Sequence, residues 1–143
     1  MQVSKLLEGR ARADIISCSA DQTLRDIVRT LAARRIGAMP VVDGDEVVGI
    51  ISERDVLYCL ASADEGSLAK PVREVMTTPV TTVECTTSCD EALALMTAGR
   101  FRHLPVIENG AMCGFLSIGD LVKSRLDEVS HEAEAMRDYI RFA

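Results

Sequence analysis

Tryptophan is absent from this 143-residue chain, and two tyrosines with three phenylalanines bring aromatic residues to only 3%. The interior must therefore be built from Val, Ile, Leu, Ala and Met. The shortage also argues against a single-strand nucleic-acid platform, which stacks bases on exposed rings. Positive charge is short as well. With 16 Lys and Arg against 22 Asp and Glu, the net charge is -6 and the pI is near 4.9, so the basic footprint that phosphate-backbone binding needs is missing. No run approaches the roughly 20 apolar residues that span a bilayer, and residues 1–12 lack the apolar centre of a secretory signal. A cytoplasmic protein without nucleic-acid or membrane partners is expected. Five cysteines (Cys18, Cys59, Cys85, Cys89 and Cys113) show no C-x-x-C spacing. In a reducing compartment they read as small buried hydrophobes with no disulfide. What the chain does have is 48% apolar content, enough at this length to bury roughly 68–70% of its unfolded surface without covalent staples.

Sliding the sequence against itself places Pro40 on Pro105, and the same shift brings Val41 onto Val106, Gly49 onto Gly114, Ser52 onto Ser117 and Asp55 onto Asp120. No gap is needed. Two copies of one unit are implied, neither able to bury its apolar face alone. Each copy reads strand, helix, strand, strand, helix. The first strands are Ile15 to Cys18 and Val80 to Val83, rich in β-branched side chains. The first helix carries Leu24, Ile27, Val28 and Leu31 on one face, with Asp21 as the expected N-cap. Its counterpart uses Ala92, Leu93 and Met96 and ends near Gly99. Hairpins follow, Pro40 to Asp43 with Val47 to Ile51, and Pro105 to Glu108 with Met112 to Leu116, turned by Gly44 and by Asn109-Gly110. The expected division is an N-terminal segment with repeat one over 1–68, a connector with repeat two over 69–126, and a helical extension over 127–143. Ser62 to Ser67 reads as an aperiodic polar stretch, and the span from Pro71 to Pro79 as a connector with one helical turn.

Gly49-Ile50-Ile51-Ser52-Glu53-Arg54-Asp55 and Gly114-Phe115-Leu116-Ser117-Ile118-Gly119-Asp120 are the chemical centre of the sequence. A Ser followed three residues later by an acid is close to a capping box, and that structural role accounts for one such motif by itself. Its recurrence in both copies points further. An Asp on the first turn of a helix, at the mouth of a cleft, is an acceptor-only group suited to a ribose cis-diol, and neighbouring N–H groups favour phosphate.

The doubled pattern of an apolar residue, Pro-Val-Val or Pro-Val-Ile, a turn, and apolar-Gly-apolar-apolar-Ser-x-x-Asp resembles the cystathionine-β-synthase (CBS) domain over residues 14–126. The tandem pair is often called a Bateman module. The resemblance implies a mixed α/β fold of two repeats packed about a pseudo-two-fold axis. It also implies a stand-alone sensor that binds AMP, ATP, NAD(H) or a related adenosyl ligand between the repeats and signals to an effector protein. Carried over residue by residue, it gives Asp55 and Asp120 the ribose, assisted by Ser52 and Ser117. The base pocket would hold Ile16, Ala38, Thr82, Pro40 and Pro105. Arg100, Arg102 and His103 would meet phosphate at the Asp55 site, and Arg54 at the Asp120 site. Repeat one has Gly37 and Ala38 where repeat two has Arg102 and His103, a departure that predicts unequal clefts.

Beyond Asp120 neither Gly nor Pro interrupts the chain, and Val122, Leu126, Val129, Ala133, Met136 and Ile140 form the a/d seam of a helical pair. A homodimer contact is expected from its distal part. Enzyme signatures are missing: there is no nucleophile elbow, HExxH, Walker loop or G-x-G-x-x-G, and the only histidines are His103 and His131. The alternative to nucleotide sensing is a zinc- or redox-responsive protein using Cys85, Cys89, His103 and Cys113.

Overall fold

A computed structural model describes residues 1–62 and 66–142. Residues 63–65 of the stretch from Ser62 to Ser67, expected as a polar connector, lie outside the described residues. The first half holds α2 (Leu24–Arg34), β1 (Ala38–Asp43), β2 (Glu46–Ser52) and α3 (Glu53–Ala61), preceded by a short α1 (Val3–Leu6) that the sequence did not announce. The second half holds β3 (Val83–Glu84), α4 (Cys89–Gly99), β4 (His103–Glu108), β5 (Ala111–Ser117) and the long α5 (Ile118–Phe142). The mixed α/β architecture and its repeat are as expected.

The halves match in detail. β1 and β2 pair antiparallel, as do β4 and β5, and each hairpin carries one register shift at the same place. The extra residue is Val48 in the first hairpin and Cys113 in the second. Asn109 and Gly110 both take positive φ, as a type I′ turn requires. β3 runs parallel to β4, and its counterpart in the first half shrinks to a single parallel bridge, Cys18 to Val41. The expected first strands are thus much shorter than their β-branched composition suggested. At α2 the cap is Thr23 rather than Asp21. Its hydroxyl accepts the Asp26 N–H at 3.2 Å and Asp26 returns the bond, while Asp21 pairs with Arg73 instead. The reciprocal box satisfies two orphan groups where Asp21 would satisfy one.

Two cores form, and neither follows the chain order. Leu24, Ile27, Met39, Val41 and Ile51 centre the first, but Val72 completes it and Leu68, Val75 and Met76 lie against it. Leu104, Val106, Leu116 and Leu121 centre the second, but Val3 completes it with Leu6 and Leu7 alongside. Fully burying side chains of this size contributes roughly 1.5–3 kcal/mol each. Backbone bonds fix both crossings. Val3 N–H donates to Thr87 O at 2.8 Å, and Val72 N–H donates to Gln22 O at 2.8 Å. The matched strand glycines make room for them: a Cβ on Gly114 would lie 2.7 Å from Leu7, and one on Gly49 would collide with Met76. Residues 1–7 therefore pack with repeat two and 68–76 with repeat one, across the 68/69 division drawn on sequence order.

Candidate functional site

α3 and α5 open on the same capping motif. Ser52 Oγ accepts the Asp55 N–H at 3.2 Å, while Asp55 Oδ2 accepts the Ser52 N–H at 2.9 Å and hydroxyl at 3.0 Å. Ser117 Oγ accepts the Asp120 N–H at 3.1 Å, and Asp120 Oδ2 accepts the Ser117 N–H at 2.9 Å. Both are capping boxes, so the structural role of the motif is realised twice. The two carboxylates differ in what else they meet.

Asp55 lines a cavity of ≈ 330 Å³ between the halves, within the roughly 300–1,000 Å³ typical of small-molecule sites. Its second oxygen, Oδ1, accepts the Thr77 hydroxyl at 3.0 Å. Thr77 is set there by the connector, which exchanges backbone bonds with Ile50 at 2.8 and 3.1 Å. Arg54, Arg100 and Arg102 line the same cavity, against the two carboxylates Asp55 and Glu53. Arg100 ends α4 in the left-handed region at φ 56. Val80, Thr81, Ile50 and Phe101 supply apolar wall, and the Phe101 ring lies directly against Gly99, where any side chain would displace it. His103 stacks on Phe115 with ring centroids 5.4 Å apart. Burial lowers its pKa, with Arg102 acting in the same sense and Asp120 opposing. The imidazole is therefore neutral at pH 7, one donor and one acceptor.

The counterpart cleft, ≈ 280 Å³, is lined by Ile15, Ile16, Ile36, Ala38 and Phe115 together with Arg10 and Asp14. Arg10 occupies Asp120: its guanidinium donates to Oδ1 at 2.9 Å and to Oδ2 at 3.3 Å. Burial alone would push the Asp120 carboxyl up, but the Arg10 hydrogen bonds and charge, with the Ser117 N–H, hold it below its ordinary value. Asp120 is among the lining residues of neither cleft.

The sequence model of the CBS domain matches residues 5–62 and 72–127, one match on each repeat. The chain belongs to the CBS-domain family. A CBS-domain containing protein from Agrobacterium tumefaciens is similar in structure, with a TM-score of 0.81 at 38% identity over 87% of this chain and 99% of that one. The mitochondrial CBS domain-containing protein CBSX3 of Arabidopsis thaliana is 35% identical over 129 residues, 87% of this chain, and this chain spans 63% of that protein's length. CBSX2 in complex with AMP shares the fold, with a TM-score of 0.76 at 24% identity over 88% of this chain and 96% of that one.

Within this CBS pair several expected placements change. Arg54 lies in the Asp55 cavity, not beside Asp120, because it follows Ser52 on the same opening turn. Thr82 faces an outer groove with Glu84, Ala94 and Leu95, while Thr81 faces the cavity. The true counterpart of Ile16 is Thr81, and a one-residue slip along an extended segment turns a side chain to the opposite face. Pro40 and Pro105 are buried in β1 and β4, paired with Ile50 and Phe115, and line neither cleft. Ile16 and Ala38 line the Arg10 cleft only. Of the cysteine and histidine set considered for zinc, Cys89 is 7% exposed in the second core and His103 sits against Phe115. Among the described residues, Cys85 and Cys113 meet Glu108 instead. Sequence reasoning missed Thr77, Phe101 and Arg10. Phe101 was legible beside Arg100 and Arg102, whereas Thr77 and Arg10 carried no motif.

No helix of the described residues is long and apolar enough to cross a membrane. α5 touches its own chain through Leu121 and Ser124, both buried, and through Glu128, which pairs with the amino terminus at 3.6 Å. The expected seam is open from its start, with Val122 43%, Leu126 63%, Met136 62% and Ile140 71% exposed, because the face that packs on the repeats is that of Leu121 and Ser124, not that of Val122 and Leu126.

Proposed function

We propose that this CBS pair is a regulatory sensor that binds one adenosine-containing nucleotide per chain in the Asp55 cavity and reports occupancy to a partner protein. The observation that carries the reading is the pairing, in one cavity of ligand size, of a positioned acceptor-only carboxylate with three guanidinium groups. Asp55, steadied by Ser52 and Thr77, takes the ribose diol. Arg54, Arg100 and Arg102 take phosphate, with neutral His103 as a hydrogen-bonding neighbour. Ile50, Val80, Thr81 and Phe101 hold the base. The AMP complex of CBSX2 supports the ligand class. Ligand bridging both halves changes their relative packing only insofar as it binds the two arrangements unequally. No catalytic step is assigned to any residue.

The test is calorimetric titration of the full chain with AMP, ATP, NAD and S-adenosylmethionine. Saturation by at least one of them at one equivalent per chain is expected, together with a raised melting temperature, since a ligand at 100 times its Kd adds about 2.7 kcal/mol. Absence of binding by all four at millimolar concentration would overturn the reading.

The open seam of α5 we assign to a second copy of the chain, because an apolar stripe without cover seeks a like surface and homodimers are the commonest closed assembly. Truncation after Arg125 is expected to convert a dimer to a monomer in light-scattering mass measurement. A truncated chain that stays dimeric contradicts the assignment.

A further inference from the structure

At the far end of the second sheet three ligating side chains converge from three segments. β3 pairs in parallel with β4 through Val83 and Glu84, which delivers Cys85, the next residue, beside Glu108 at the end of β4. Cys113 is the extra residue of the β5 bulge. The two sulfurs are 3.4 Å apart, the Cys85 thiol points at Glu108 Oε2 at 3.9 Å, and all three ligand atoms lie within 4.8 Å of one another. We propose that Cys85, Cys113 and Glu108 bind a thiophilic divalent cation, with zinc the ion whose chemistry they fit.

The geometry needs little adjustment. Two thiolates at ~2.3 Å from a tetrahedral zinc stand about 3.8 Å apart, a few tenths beyond the spacing here. Two sulfurs and a carboxylate favour zinc over calcium or magnesium, which take oxygen sets. Three protein ligands leave one coordination position for water. Glu108 is exposed and both cysteines half-buried, so an ion has a way in. Without a cation the cluster is self-opposed, because two sulfurs 3.4 Å apart beside a carboxylate oppose one another's ionisation. A bound dication reverses that balance by stabilising thiolate.

The repeat supplies an internal control. The matching positions of the first half are Ala20, Asp43 and Val48, and Ala20 and Val48 lie as plain apolar cover against the first core. The fold therefore has no need of sulfur at either place, and the ligand set belongs to one repeat alone. The site stands apart from the nucleotide cavity, so its test needs no nucleotide.

The experiment titrates the reduced full chain with Co²⁺ and then Zn²⁺, following thiolate-to-cobalt charge-transfer absorption and the number of thiols open to a disulfide reagent. One equivalent of Co²⁺ should raise the band, Zn²⁺ should bleach it, and two thiols should become protected. Cys85→Ala and Cys113→Val, which install the first half's residues, should abolish the band. Glu108→Gln should weaken binding about tenfold or more, at least what losing an outer-shell partner of a metal site costs. Cys59→Ala should change nothing. The proposal fails if the reduced wild-type chain gives no thiolate band, if the band survives in Cys113→Val, or if the two thiols are instead lost as a disulfide with no metal taken up. Should a cysteine variant not fold, the wild-type band, its thiol protection and the Glu108→Gln affinity decide the matter.

Discussion

Asp55→Ala is expected to weaken nucleotide binding by about 100-fold or more, while Asp120→Ala leaves it within a few-fold of wild type. Hydrogen bonds to a charged partner contribute about 1.5–3 kcal/mol each, and a ribose diol offers two, so losing both exceeds the 2.8 kcal/mol that corresponds to about 100-fold. Asp55 has capacity left for such a ligand: Oδ2 holds Ser52, and Oδ1 holds only the exchangeable hydroxyl of Thr77. Asp120 has both oxygens on Arg10. The Ala change also removes half of the α3 capping box, a structural cost of about 1 kcal/mol. Affinity is therefore compared only after circular dichroism shows α3 and the rest of the fold retained. Equal losses in the two variants, measured by calorimetry with the same nucleotide, would contradict the unequal clefts.

Val3→Asp should be strongly destabilising although it lies outside the cavity. Val3 is 0% exposed although it is third in the chain, and it completes a core whose other members begin at Val83. A carboxyl buried there without a partner costs about 3 kcal/mol or more, equivalent to a fall of roughly 10 °C in Tm for a chain of this size. Hydrogen exchange should show the loss first in β3, α4, β4 and β5, not in β1 and β2. A change below about 1 kcal/mol, or deprotection that begins around Leu24 and Met39, would mean the N-terminal segment is not part of that core.

The repeat made much of this visible beforehand. Paired Pro, Gly, Ser and Asp positions located both hairpins, the matched glycines and the two helix starts, because each depends on residues close in sequence. Contacts spanning long separations were hidden. Nothing near Asp120 announces Arg10, which lies 110 residues away, and the crossing segments escaped because Val3 and Val72 are not brought together by the shift that aligns the repeats. Thr82 was misplaced for a different reason. The shift that carries Pro40 onto Pro105 carries Ile16 onto Thr81, and reading one residue further along this extended segment turns the wrong side chain inward. The thiol pair was half legible: Cys85 and Cys113 were in view, but Glu108 joins them only through strand alignment.

The crossed-over stretches have one more effect. The stretch that supplies Val3 to the second core runs on to Arg10 and Asp120. The one that supplies Val72 to the first core runs on to Thr77 and Asp55. Each acidic side chain is thus moored to a line whose other end is sunk in the interior of a half. A sugar hydroxyl competing with the Thr77 hydroxyl for Asp55 Oδ1 would act on a segment that Val72, five residues upstream, anchors in the first core.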